Sequence, residues 1–347
     1  MRCPRLSELP SPPQGKSGWP WTEESPALPE YMSDGSLWPR ISIVTPSYNQ
    51  GQFIEETIRS VLLQGYPDLE YIVIDGGSTD ESADIIRKYE PWLAYWVSER
   101  DRGQSHAINK GFQRATGDLI TFQNSDDVYL EGAFQDAAVR WEAQRDAGVV
   151  AGAFYFIDEQ VMRPDPVPAR LPHQGPIDLA IISPERWRIH QVSAFFSRHA
   201  LDTVGRFVRE DLNYNMDREL LYRVCRVFST SLSDSAYGAF RWHGSGKSVS
   251  NVWASDKEHA NLHLSYHYDD CHLRAQCHKV ANIRLAKGYL RYARGNGHFF
   301  ASAHALVRAC RLRPSIVATP GYLVAWVEIL HLLPSLRWLR GSLRGRT

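Results

Sequence analysis

From Arg40 onward the sequence alternates short apolar runs with amphipathic stretches, and this alternation does most to narrow the architectures open to it. Strands separated by helices pair in parallel, because only a long crossover returns the chain to the same end of a sheet. Ile41 to Thr45 and Leu69 to Ile74 are apolar runs of strand length, and a cluster of turn residues follows each. Pro46 is expected to stop the first, since proline cannot donate to a ladder. Between them Ile54, Ile58, Val61 and Leu62 recur at helical spacing, with Glu55 and Glu56 in the first turn, where the helix dipole favours acids. The same reading predicts helices around Ser82 to Tyr89, Gln104 to Ala115 and Gly132 to Arg145. It predicts strands at Leu93 to Val97, Leu119 to Gln123 and Val149 to Phe156. The expected fold is α/β, a mainly parallel open sheet flanked by helices.

The remainder is less regular. Residues 163–176 read as a Pro-rich loop, Val192 to Phe196 as a strand, Asp217 to Val227 as a helix and residues 281–313 as helical, turning at Gly295 to Gly297. Residues 1–38 carry seven prolines among Ser and Gly with no apolar period, and Pro39 follows; they read as a flexible leader. The expected division is therefore a leader at 1–38, a main domain at 39–278 and a basic helical appendage at 279–347. The formal charge is zero, with 39 basic and 39 acidic residues, yet residues 279–347 hold 12 basic residues against Glu328 alone. An acidic main body argues against nucleic acid as a partner, while a basic tail suits an anionic surface. Five scattered cysteines and no signal-peptide pattern point to a reduced, cytoplasmic chain.

In open parallel sheets, ligands bind beyond the carboxyl ends of the strands. Those ends carry Ser47-Tyr48-Asn49, then Asp75 before Gly76-Gly77, then Asn124-Ser125-Asp126-Asp127. Two adjacent acids repel unless a cation intervenes, and Mg²⁺ or Mn²⁺ would relieve Asp126 and Asp127. Taken alone, such a pair in a loop is more often a turn or a helix cap, and its position after an apolar strand favours the metal. Asp75 can start a turn or accept from a base or sugar. The Gly pair forms no Gly-x-Gly-x-x-Gly fingerprint, so a nicotinamide cofactor is not supported. Cys271-His272 and Cys277-His278 fit no common zinc spacing.

Four ordered segments carry a resemblance. Ile43 to Asn49, Ile74 to Asp80, Asp101 to Gly111 and Gly117 to Asp127 resemble, in order, the family 2 glycosyltransferases of the GT-A fold, over residues 40–135. The resemblance implies an inverting transfer of a sugar from a nucleotide diphosphate sugar to a hydroxyl acceptor. The nucleotide-sugar half would span 39–135 and the acceptor half 136–278. Tyr48 would stack on the base, with Pro46 shaping the loop and Asn49 beside it, and Asp75 would bind the base edge. Asn124 to Asp127 would be the counterpart of the family's Asp-x-Asp motif, departing from it at Asn124. A Mn or Mg ion would then rest mainly on Asp127, with Asp126 on the metal or the ribose.

The segment from Gly205 to Arg223 is similar to the one holding the family's catalytic base, which would be Asp217, although Arg218-Glu219 departs from the usual pair after it. A positioned carboxylate is worth about 10²–10⁴ in rate when a hydroxyl must lose its proton; a helix cap is the structural alternative for Asp217. His243 matches a segment that closes over the diphosphate and adds a metal ligand, and Gln191 a position near the acceptor; a core or surface histidine and a strand-edge polar residue are the plainer readings. Tyr322 to Leu339 is apolar but interrupted by Glu328, His331, Pro334 and Arg337, which suits an interfacial helix on the inner face of a membrane, or a helix docked on the protein, better than a span. A lipid-linked saccharide acceptor in bacterial surface or exopolysaccharide assembly follows from the family. The rival is a non-catalytic nucleotide-sugar-binding or scaffold protein, suggested by Asn124 and Arg218-Glu219.

Overall fold

The structure is a computed structural model that describes the chain except residues 159–160, 172–186, 245, 248–250, 267–269, 296–298, 320–321, 323–324 and 326–347. Three parallel pairings build its first half. β1 (Ile41–Ser47) lies between β2 (Leu69–Asp75) and β4 (Leu119–Phe122), and β3 (Tyr95–Ser98) pairs with β2. The crossovers are α1 (Ile54–Leu62), α2 (Ser82–Lys88) and α3 (Gln104–Arg114). Val44, Ile72 and Val73 are buried to within 1% of their surface, as expected of strands covered on both faces. α3 seats closely because Gly111 has no side chain: a Cβ there would lie 2.2 Å from Val44 Cγ1.

Pro46 does not stop β1, which continues through it in register with Ile74. The β4 partners end at Val44↔Phe122, so the missing proline N–H falls beyond the last ladder bond on that side. Past β4 the sheet becomes mixed. β5 is Val128–Tyr129, and α4 (Ala133–Ala143) leads to β6 (Ala147–Asp158), with the short β7 (Val161–Met162) on its edge. β8 (Ala194–Ser197) runs antiparallel between β4 and β6, followed by α5 (Arg198–Val204) and α6 (Met216–Cys225). β9 (Ser229–Trp242) pairs parallel with β6 and antiparallel with β5. The resulting order is β3-β2-β1-β4-β8-β6-β9-β5.

Residues 1–38 are not a flexible leader. They form a strap over α1, in which Cys3, Leu9, Trp21 and Trp38 are buried and Cys3 N donates to Tyr66 O at 2.8 Å. Arg59 of α1, fully buried, fixes the strap: Nη1 donates to Pro10 O (2.8 Å), Nε to Pro20 O (3.0 Å) and Nη2 to Trp21 O (2.9 Å). Trp19 Nε1 reaches Tyr129 O at 2.8 Å. A guanidinium has donors enough to satisfy several carbonyls at once, which is why a sequence without apolar period still packs.

The domain boundary also differs from the expected 278. The chain divides into Met1–His243 and Gly244–Thr347. The second unit holds α7 (Val252–Ser265), α8 (Cys271–Gly295) and α9 (Phe299–Leu312), with its own core of Ala260, Ala281, Leu285, Ala286, Leu306 and Ala309. No disulfide forms among the described residues, and none of their helices is long and apolar enough to cross a membrane. Residues 172–176 of the expected loop, the turn at 296–297 and nearly all of the expected interfacial helix lie outside the described residues.

Candidate active site

Two loops at the carboxyl ends of β1 and β2 are zipped together by polar contacts. Asn49 sits at φ 51°, a left-handed conformation that asparagine tolerates. Its Oδ1 accepts from Thr79 N at 2.8 Å and its own N–H donates to Ser78 Oγ at 2.8 Å. Gln50 N donates to Ser82 Oγ (2.8 Å) and Gly51 N to Asp80 Oδ2 (2.9 Å). Tyr48 is left standing on this platform, 59% exposed. Asp75, placed on the base edge by the sequence reading, lies at the end of β2. Its carboxylate is fully buried and accepts from Ser98 Oγ (2.6 Å), Ser78 N (2.9 Å), Gly77 N (3.2 Å) and Ser78 Oγ (2.5 Å). Four donors occupy it, so Asp75 shapes the loop rather than presenting an oxygen to a base.

Beyond β4 the two adjacent acids have different environments. Asp127 is fully buried, with Oδ1 accepting from Arg241 N (2.8 Å) and Oδ2 from Asn124 Nδ2 (3.1 Å). Burial pushes its carboxyl well above the usual range, and the Asp126 charge adds to the shift, while the bonds from Arg241 and Asn124 oppose it. Asp126 keeps 23% of its side chain exposed and meets His243 Nε2 through Oδ2 at 2.9 Å. His243 in turn packs on Phe53, ring centroids 4.7 Å apart. The sequence reading rests a metal mainly on Asp127; here both its oxygens are engaged below the surface, and Asp126 with His243 forms the pair at the rim. Arg241 braces that pair, Nε donating to Asp126 O at 2.8 Å and Nη2 lying 3.1 Å from Glu56 Oε2.

Asn124 has a structural reason. Its amide donates to Asp127 and, at 3.4 Å, to Gln191 Oε1, while its oxygen accepts from Gln104 Nε2 at 2.8 Å. A carboxylate could only accept, and would face Asp127 and the Gln191 carbonyl with like partial charges. Gln191, expected near an acceptor, is 2% exposed and its amide also donates to Phe122 O, so it supports Asn124 from below. Sequence reasoning missed Gln104 and Arg241 as members of this network, because neither residue type signals a site until the strand ends converge.

On the far side, His190 is half-buried between Phe154 (4.6 Å) and Phe240 (5.0 Å), and the desolvation there, together with the Arg218 charge, pushes its imidazole down to about 3. Asp217 is half-buried in the first turn of α6, whose N-cap is Asn215, so the helix-cap alternative does not hold. Glu219, two residues on, pairs with Arg223 at 2.8 Å, and Arg223 donates to the carbonyls of Val204, Gly205 and Phe207. The Arg218-Glu219 departure thus supplies a clamp for the loop before α6. That loop is also tied to α3, where Asn109 exchanges two bonds with Val208 and Arg102 forks onto Glu210 at 2.9–3.1 Å.

Among the described residues no group of three or more His, Cys, Asp or Glu side chains could hold a metal ion by itself. Asp126 with His243 is a two-member donor set, which fits a hard divalent ion that takes its other ligands from water and phosphate oxygens.

Comparison with known proteins gives this geometry a family. The profile described as Glycosyl transferase family 2 matches residues 42–205. An uncharacterized glycosyltransferase of Mycobacterium tuberculosis is 32% identical over 195 residues, covering 54% of this chain and 70% of that protein. The chain belongs to glycosyltransferase family 2. TuaG of Bacillus subtilis, a glycosyltransferase assigned provisionally to teichuronic acid biosynthesis, is 40% identical over 94 residues, 26% of this chain and 37% of its own length. The fold is that of GT-A transferases. The mannosyltransferase PcManGT of Pyrobaculum calidifontis, solved with GDP-Man and Mn²⁺, superposes with TM-score 0.54 at 20% identity, over 92% of this chain and 86% of that one. Staphylococcus aureus TarS 1-349, solved with UDP-GlcNAc, gives 0.52 at 18%, over 85% and 82%. The family 2 profile thus spans the zipped loops, the Asp126-Asp127 rim and the Gln191 support, and stops short of Asp217 and His243.

Proposed function

We propose that this glycosyltransferase moves a hexosyl group, with inversion, from a nucleoside diphosphate sugar to a hydroxyl of a saccharide or lipid-linked saccharide in the assembly of a bacterial-type surface polysaccharide. The observation that carries the reading is the Asp126–His243 pair, 2.9 Å apart at the rim of the sheet beyond β4 and β9. TuaG, with its provisional place in teichuronic acid biosynthesis, supports the pathway class. Asp126 and His243 are the residues that would hold Mn²⁺ or Mg²⁺, and Tyr48 is the side chain exposed for stacking on a base. A divalent ion bound there offsets charge on the departing diphosphate. Asp217 is the proposed base: its carboxylate takes the proton of the acceptor hydroxyl as the new bond to the anomeric carbon forms. The α6 clamp of Glu219 and Arg223 holds that carboxylate's helix in place. The partners of Asn124 and Glu219 support reading these two departures as structural features of an enzyme rather than marks of a non-catalytic scaffold.

The test is a panel of UDP-, GDP- and dTDP-sugars incubated with Mn²⁺, scored by release of the nucleoside diphosphate. Release that falls at least about 10²-fold in Asp126→Ala is expected. No release from any donor, with or without Mn²⁺, would count against the reading.

A further inference from the structure

With Asp75 withdrawn into its own loop, the base-reading position needs another group, and the structure offers one. Gly76, which follows Asp75, is buried, and a Cβ built on it would lie 2.8 Å from Asp101 Oδ2. The Asp101 carboxylate therefore occupies the space that a side chain at position 76 would claim. Its placement is fixed from both directions. Gly103 N donates to Oδ1 at 2.7 Å, and Glu99 N donates to Asp75 O at 3.0 Å, tying the 98–103 segment to the end of β2. Of its two neighbouring cations, Arg102 is drawn away to Glu210 at 2.9 Å, and Arg100 forms no ion pair with it among the described residues. Among the described residues Oδ2 has no hydrogen-bond partner, and Asp101 is half-buried beside the platform that carries Tyr48.

We propose that Asp101 selects the nucleobase of the donor and favours guanine. This rests on the nucleotide-sugar reading of the site. A carboxylate only accepts hydrogen bonds, and with about four lone-pair positions it suits two donors side by side. Guanine presents N1–H and the N2 amino group in that arrangement. Uracil offers a single N3–H between two carbonyl oxygens, which repel a carboxylate. Adenine and cytosine each pair an amino group with an unprotonated ring nitrogen, so one carboxylate oxygen faces a lone pair. Asparagine at this position would lose the preference, because its amide can donate to the uracil carbonyls as readily as it accepts from N3–H.

Titration calorimetry of GDP, UDP, ADP and CDP against the full chain with Mn²⁺ tests this, in the native protein and in Asp101→Asn. GDP binding at least about tenfold tighter than UDP is expected of the native protein, with that ratio shrinking about tenfold or more in Asp101→Asn. Asp101→Ala, checked for native circular dichroism, should lose the preference as well. Native protein that binds UDP as tightly as GDP, or an unchanged ratio in both variants, would overturn the assignment to Asp101 while leaving the donor reading intact. Binding of no nucleoside diphosphate would overturn the donor reading, and this proposal with it.

Discussion

At the scale of single residues, the two adjacent acids have opposite tasks and should fail in opposite ways. Asp127→Ala removes the buried acceptor of Arg241 N and of one Asn124 amide N–H, and should cost about 2–4 kcal/mol of stability, read by urea unfolding. Asp126→Ala should leave the unfolding midpoint near native while nucleotide release collapses. Comparable destabilisation by both would show that the rim and the buried acid are not separate. His190 gives a pH prediction. Its imidazole titrates at about 3 in the fold against an ordinary 6.5, so between those values the unfolded chain binds the extra proton. The His190 contribution is complete above pH 6.5 and is lost as pH falls toward 3, by about 1.4 kcal/mol per unit. His190→Phe, which keeps the aromatic packing, should flatten that acid limb in thermal unfolding at pH 7 and pH 5. The sequence made the segment Asn124 to Asp127 visible as a site, but not the division of labour within it. Which of two adjacent carboxylates is buried depends on Arg241, more than 100 residues away.

At the scale of elements, the first half was legible because helical and strand periods are cleanly separated there: β1, β2, β4, α1 and α3 fall within about two residues of their expected bounds. β9 was invisible. Ser229 to Trp242 is rich in Ser and alternates weakly, and its pattern of exposed and buried residues is set by β5 and β6 rather than by its own hydropathy. The 1–38 strap was misread for a related reason, since its order comes from partners distant in sequence, Arg59 foremost. Arg59→Met removes the donors that satisfy Pro10, Pro20 and Trp21 carbonyls. A loss of about 3 kcal/mol or more is expected, together with rapid proteolysis within residues 1–38. Limited proteolysis with mass mapping would check it; an intact strap in the variant would show that apolar packing suffices.

At the scale of the whole molecule, charge and architecture share a boundary. Residues 244–347 hold 15 basic and 5 acidic residues, while residues 1–243 carry the balancing excess of acid. Each Lys or Arg near an anionic surface contributes about 1 kcal/mol. The full chain should therefore sediment with phosphatidylglycerol vesicles at low salt, release at high salt and ignore phosphatidylcholine vesicles; equal behaviour with both lipids would remove the electrostatic basis. The strap carries a different consequence, one of timing. Its bond from Trp19 to Tyr129 spans 110 positions in sequence. At synthesis rates of about 5–20 residues per second, Trp19 waits on the order of 10 s for Tyr129. Through that interval the Trp19 indole N–H lacks its acceptor. Nascent chains stalled before and after residue 129 should then differ in tryptophan emission, so that the strap reports when the part of the sheet from β1 to β5 has formed.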